Sequence, residues 1–147
     1  MKFFLGIFLF ITAISCSSND DNDNTPVENI SIKGNWKPYK YEFRGKDILL
    51  NDCDKKGEIV INSDFSGTYE RYQLSNSGVC DHIDSFGGKW SYDNSSLAIT
   101  YNETGTVKTL KKTVQSFTNV ELRISDNSKD LDDTPGNDMA TLVFVKQ

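Results

Sequence analysis

Gly87-Gly88-Lys89-Trp90-Ser91-Tyr92-Asp93-Asn94-Ser95-Ser96-Leu97-Ala98-Ile99-Thr100-Tyr101-Asn102 is the stretch on which the rest of the chain is patterned. Trp90 and Tyr92 alternate with Lys89, Ser91 and Asp93; beyond the turn formers 93–96, Leu97, Ile99 and Tyr101 alternate with Ala98 and Thr100. A period of two on both arms, with a polar turn between them, specifies a β-hairpin with one dry face. Only the set containing Trp90 can meet a dry interior without burying charge, so Trp90 is expected to point inward.

The unit repeats on both sides of this hairpin. Upstream, residues 58–62 read as a strand, 63–67 as a hairpin loop and 68–74 as its partner. Before them, Trp36 and Pro38 lie in one parity and Tyr41 and Phe43 in the other, so a bulge is expected near Tyr39, which also accommodates Pro38. Residues 47–56 read as irregular, with one helical turn around 48–50, and 75–86 as a loop. Downstream, 103–105 is a turn and 107–117 a strand with a break near Lys111-Lys112, because Val107 and Leu110 disagree in parity. Residues 120–125 form a strand with Leu122 and Ile124 on one face; 126–138 is a polar loop and 139–146 a closing strand. About eight strands result, and the fold expected is all-β, an eight-stranded antiparallel up-and-down meander barrel.

The chain has 147 residues, enough for one core and no second domain. Its start is of another kind. Lys2 is the only charge before Cys16, and residues 3–14 are almost wholly apolar. That run is shorter than the roughly 20 residues a spanning helix needs and suits a cleaved signal peptide over 1–15. Ser15-Cys16 resembles the lipobox of bacterial lipoproteins, with Ala13 where leucine is usual; the resemblance implies an acylated Cys16 and a membrane partner through that lipid. Residues 16–31 then read as an acidic disordered tether, and 32–147 as the folded domain.

Cleavage before Cys16 leaves 15 basic against 21 acidic residues, and four of the acids, Asp20, Asp21, Asp23 and Glu28, lie in the tether. The remainder is nearly balanced and carries no basic stripe, which excludes nucleic acid as a partner class. The acidic run after the cysteine resembles the signal that sends Bacteroidetes lipoproteins to the cell surface, and a plain spacer explains its composition equally.

Gly34-Asn35-Trp36 is similar to the Gly-x-Trp of lipocalins, whose Trp plugs the closed end of the barrel. Residues 59–69, Ile-Val-Ile-Asn-Ser-Asp-Phe-Ser-Gly-Thr-Tyr, followed by Gly88-Lys89-Trp90-Ser91-Tyr92 and Leu97-Ala98-Ile99-Thr100-Tyr101, resemble the lipocalin-like domain of small Bacteroidetes lipoproteins. The resemblance spans 32–147 and implies a lipocalin-like calyx in the cell envelope, anchored to the outer membrane. The Thr-Asp-Tyr motif of lipocalins is absent, so their ligand chemistry does not carry over.

With Cys16 set aside, Cys53 and Cys80 remain, and an even pair in an exported domain points to a disulfide. Cys80-Asp81-His82-Ile83-Asp84 gathers the one histidine with a thiol and two acids, but a paired Cys80 is no nucleophile and too few ligands remain for a metal; the stretch reads as solvated loop. The acids of 126–138 do not follow the calcium-loop spacing, and the same reading applies there. No catalytic motif is present, so the protein is expected to be no enzyme and to need no cofactor beyond the lipid. Trp36, Tyr41, Phe43, Tyr69, Trp90, Tyr92, Ile99 and Tyr101 are the candidate ligand-binding residues. Two interiors stay open: a cavity for a small hydrophobic ligand, or a barrel filled by its own side chains. They correspond to a binding module for that ligand or for an envelope protein partner, and to a structural or accessory lipoprotein.

Overall fold

In the computed structural model, residues 30–147 are described. The expected signal peptide, the expected lipidation site Cys16 and nearly all of the expected tether lie outside them. Nine strands follow in order: β1 (Gly34–Phe43), β2 (Lys46–Leu49), β3 (Glu58–Ile61), β4 (Ser66–Leu74), β5 (Cys80–Tyr92), β6 (Ser96–Glu103), β7 (Thr106–Phe117), β8 (Glu121–Asp126) and β9 (Ala140–Lys146). Each pairs antiparallel with its neighbour in space, and β9 returns to pair with β1. β2 and β3 lie end to end on the same edge of β1, against residues 40–43 and 34–36 respectively. They make one stave broken in the middle, so the sheet closes as an eight-stranded up-and-down barrel. Closure removes free sheet edges except along β2 and where strands such as β4 and β5 run past their second neighbours.

The opening hairpin forms as its alternation requires. Trp90 pairs with Ile99 and Tyr92 with Leu97 across β5 and β6; Trp90, Leu97 and Ile99 are buried while Lys89, Ser91 and Thr100 are exposed. Arg44-Gly45 and Thr104-Gly105 make two-residue turns with positive φ at both positions, the geometry whose twist matches the strands it joins. The bulge expected near Tyr39 is present, since the β1–β9 register shifts between Pro38 and Lys40. This lets Trp36 and Tyr41 both be buried.

One end of the barrel is sealed. Trp36 is fully buried, donates from Nε1 to the Ile32 carbonyl at 2.8 Å, and has the Lys146 ammonium 4.8 Å from its ring. Above it Ile59, Ile61, Leu97, Ile99, Leu122, Ile124 and Phe144 fill the interior, each at most 2% exposed. Val143 is equally buried on the outer face, paired in register with Lys40 and Arg123, whose ion pairs with Glu42 flank it.

Four expectations need correction. The segment 48–50 is strand β2 running into Leu50, not a helical turn; the turn of 3₁₀ helix comes later, at Asp54–Lys56. The loop at 75–86 shrinks to 75–79, because β5 starts at Cys80; residues 81–85, polar but for the unpaired Ile83, run along β4 in a two-stranded extension that is wet on both faces. β7 is unbroken at Lys111-Lys112, and its register shift falls between Val114 and Ser116. Val107 is 69% exposed, so the parity conflict it posed with Leu110 does not arise. Asp126 belongs to β8, not to the loop, and is buried.

Candidate functional site

Beyond Glu70, β4 loses its partner β3, while β2 pairs only with β1. Between them no ladder runs. The 3₁₀ turn lies across this gap, and the Cys53–Cys80 disulfide, with Cα atoms 5.5 Å apart, ties it to the start of β5. The expected bridge is therefore present. Beneath the turn is a cavity of about 40 Å³. Pro38, Leu50, Leu142 and Phe144 give it apolar lining, and Tyr41, Asp54, Tyr69, Arg71, Ser128 and Lys129 give it polar groups.

Strand period sets the polar side. Tyr69 and Arg71 are two apart on β4, and Asp126 follows Leu122 and Ile124 at the same spacing on β8, so all face inward. Asp126 is 3% exposed. One of its oxygens accepts from Tyr41 Oη at 2.8 Å and Ser128 Oγ at 2.5 Å, and the other from Lys112 Nζ at 3.1 Å. Burial pushes its pKa up, but the Ser128 hydrogen bond, the Lys112 charge and the Tyr41 hydrogen bond outweigh burial, and the net direction is down. Tyr41 is pushed far above a free phenol, first by burial and then by the charge of Asp126. Tyr69 is raised as well, by burial, against the opposing charge of Arg71. Both phenols are therefore protonated donors.

Asp54 is held from below by Asn51, whose Oδ1 accepts from the backbone N–H of Cys53 and Asp54 at 2.9 Å and whose Nδ2 donates to Asp54 Oδ2 at 3.0 Å. Lys129 pairs with the same Oδ2. Arg71 donates to Asp84 at 2.6 Å. Two buried side-chain atoms, Asp54 Oδ1 and Tyr69 Oη, have no hydrogen-bond partner among the described residues. Asp54 is 7% and Tyr69 3% exposed, and both residues line the cavity.

The candidate ligand-binding residues are thus divided. Tyr41 and Tyr69 reach the cavity. Phe43 borders a second hollow of about 260 Å³ with Ile48 and Leu131. Trp36 seals the far end, Trp90 donates to the Val60 carbonyl at 2.8 Å, and Ile99 is fully buried. Tyr92 meets Phe117 edge-on at 5.3 Å, and Tyr101 packs on Phe86 at 4.6 Å. Asp54, Arg71, Asp126 and Lys129 escaped the sequence reading. Two of them carried a signal, because Arg71 keeps the parity of Tyr69 and Asp126 that of Ile124; Asp54 and Lys129 lie in irregular segments and carried none.

His82 stacks on Tyr72 at 4.6 Å on the exposed part of β5, and Cys80 is spent in the disulfide. Asp130, Asp132 and Asp138 bring carboxylate oxygens within 4.8 Å of one another. Asp130 and Asp138 accept backbone N–H groups of the loop, and Asp132 pairs with Arg44.

A family model described as a lipocalin-like domain matches residues 32–124. A search of curated proteins found no match. The matched span begins at Ile32, the residue whose carbonyl receives the plug Trp36, and ends at Ile124 on the inner face of β8. Proteins of this fold are generally binders. On the closed meander and on this match over most of its length, the chain belongs to the lipocalin-like domain family.

Proposed function

We propose that the protein is an exported, lipid-anchored binding module of the cell envelope, without catalytic activity, that takes a small ligand at the gap between β2 and β4. The observation that carries this reading is the cavity itself, lined by apolar side chains together with a few polar groups, where the barrel wall is interrupted. The filled interior leaves the centre of the barrel no room for a hydrophobic ligand, so binding belongs to the mouth and not to a deep calyx. The disulfide supports folding in an oxidising compartment. Acylation at Cys16, placement at the outer membrane and a Bacteroidetes-type lipoprotein origin rest on the segment before the domain.

The same filled interior favours a second reading, an accessory envelope lipoprotein that contacts a protein partner and takes no small ligand. One preparation tests both. The full chain is produced in a bacterium that processes lipoproteins, beside Cys16→Ser. The wild type is expected in the membrane fraction with an acyl mass on Cys16 and a small molecule at near-equimolar amount in its organic extract; Cys16→Ser is expected to be soluble. A wild type without acyl mass, partitioning as the variant does, refutes the anchor. An extract without ligand, together with a co-purifying envelope protein, selects the second reading.

A further inference from the structure

We infer that the cavity between β2 and β4 receives an uncharged group bearing both a hydrogen-bond donor and an acceptor, a hydroxyl or primary carboxamide, held between Tyr69 and Asp54. This rests on the reading of the cavity as the binding site and specifies what that site recognises.

Two facts select the chemistry. The first is the pair of unsatisfied atoms. Tyr69 Oη, kept protonated by burial, offers a proton that no described residue accepts, since the neighbouring Arg71 can only donate, and Asp54 Oδ1 offers lone pairs that no described donor meets. Leaving such groups unpaired in a buried place is costly, so a ligand that satisfies both gains from each. A group that only accepts would serve Tyr69 and repel Asp54. A group that only donates would serve Asp54 and leave the Tyr69 proton unmatched.

The second fact is charge balance. Asp54 is neutralised by Lys129, Arg71 by Asp84, and Asp126 behind them by Lys112. Glu70, the other charged residue at the cavity, sits between inward Tyr69 and Arg71 and so turns to the outer face. A carboxylate or ammonium entering here would bury a charge without a counter-ion, and the desolvation cost excludes it. The volume of about 40 Å³ admits one small head group and no more. Ile83, 42% exposed on the β4–β5 extension and part of the cavity lining, offers an alkyl remainder an apolar surface at the mouth.

The test uses amphiphiles of one chain length below their micellar concentration, titrated calorimetrically into the folded, oxidised domain: monodecanoylglycerol, decanamide, decanoate and decylammonium. The two neutral probes are expected to bind at least tenfold tighter than the two charged ones. Tyr69→Phe, which keeps the ring, is expected to weaken the neutral probes about five- to tenfold, the worth of one hydrogen bond. The melting temperature of the ligand-free variant is expected to stay level or rise, because an unpartnered buried hydroxyl has been removed. A merely structural Tyr69 would give the opposite pattern, lost stability with unchanged selectivity. Equal binding of all four probes would overturn the head-group assignment and leave the binding module standing. Binding of none, with a single water bridging Tyr69 and Asp54 in a high-resolution crystal structure, would overturn both.

Discussion

Asp126 is an acid on the inner face of a barrel, and it stays ionised there because three side chains converge on it. Its folded pKa lies below the ordinary carboxylate value, mainly through Ser128, Lys112 and Tyr41 acting against burial. The sign follows from linkage: this group contributes stability that is present above its unfolded pKa, near 3.9, and is lost as pH falls through the lowered folded value. Tyr41→Phe removes one donor from a buried charge. It is expected to cost about 1 to 3 kcal/mol at neutral pH and to raise the folded pKa of Asp126, so that acid unfolding begins at a higher pH. Urea denaturation repeated from pH 7 down to pH 3 measures both effects. Identical acid midpoints for variant and wild type would show that Tyr41 does not hold the Asp126 charge.

The β5–β6 hairpin makes a sharper prediction because its two adjacent glycines differ. A Cβ on Gly88 would stand 2.0 Å from the Thr100 carbonyl oxygen, inside the ladder, whereas one on Gly87 meets nothing within 4 Å. Gly88→Ala must push the two backbones apart and is expected to cost about 3 kcal/mol, the upper range for overpacking. Gly87→Ala should change stability by less than about 0.5 kcal/mol, as exposed substitutions do. Chemical denaturation of the two variants checks the contrast, and equal losses would mean that β6 does not approach β5 as closely as described. This hairpin was readable in the sequence because one face is dry and the other wet, which writes the period of two directly into residue type. Where both faces are wet the signal vanishes, as in residues 81–85, so half of β5 reads as loop in the sequence. β2 was lost for a related reason: Ile48-Leu49-Leu50 is an unbroken apolar run, although Leu49 is 64% exposed and only Leu50 is fully turned inward. The polarity of Asp126 points to the loop, while its spacing from Leu122 and Ile124 points inside, and the spacing prevails.

The closed meander itself was legible, because it needs only a succession of antiparallel neighbours, while the cavity was not, since it depends on where one stave is broken. The disulfide spans that break. Closing a separation of 27 residues is worth about 3 to 4 kcal/mol in the chain-entropy account, and replacing both Cys53 and Cys80 by Ala is expected to lower stability by that amount in equilibrium denaturation. A loss below about 1 kcal/mol would mean that the bridge merely decorates a gap already held by Asp54 and Lys129. The two ends of the molecule also differ in what enters them. The first described residues lie against the plug: the Ser31 carbonyl accepts from Lys146, Lys33 stands over Phe65, and Ile32 caps Trp36. The mouth is framed from the other direction, by the β8–β9 loop and the far end of β4. The chain therefore enters the barrel at its stopper, as a handle joins a flask at its base, and the opening lies at the end far from that entry.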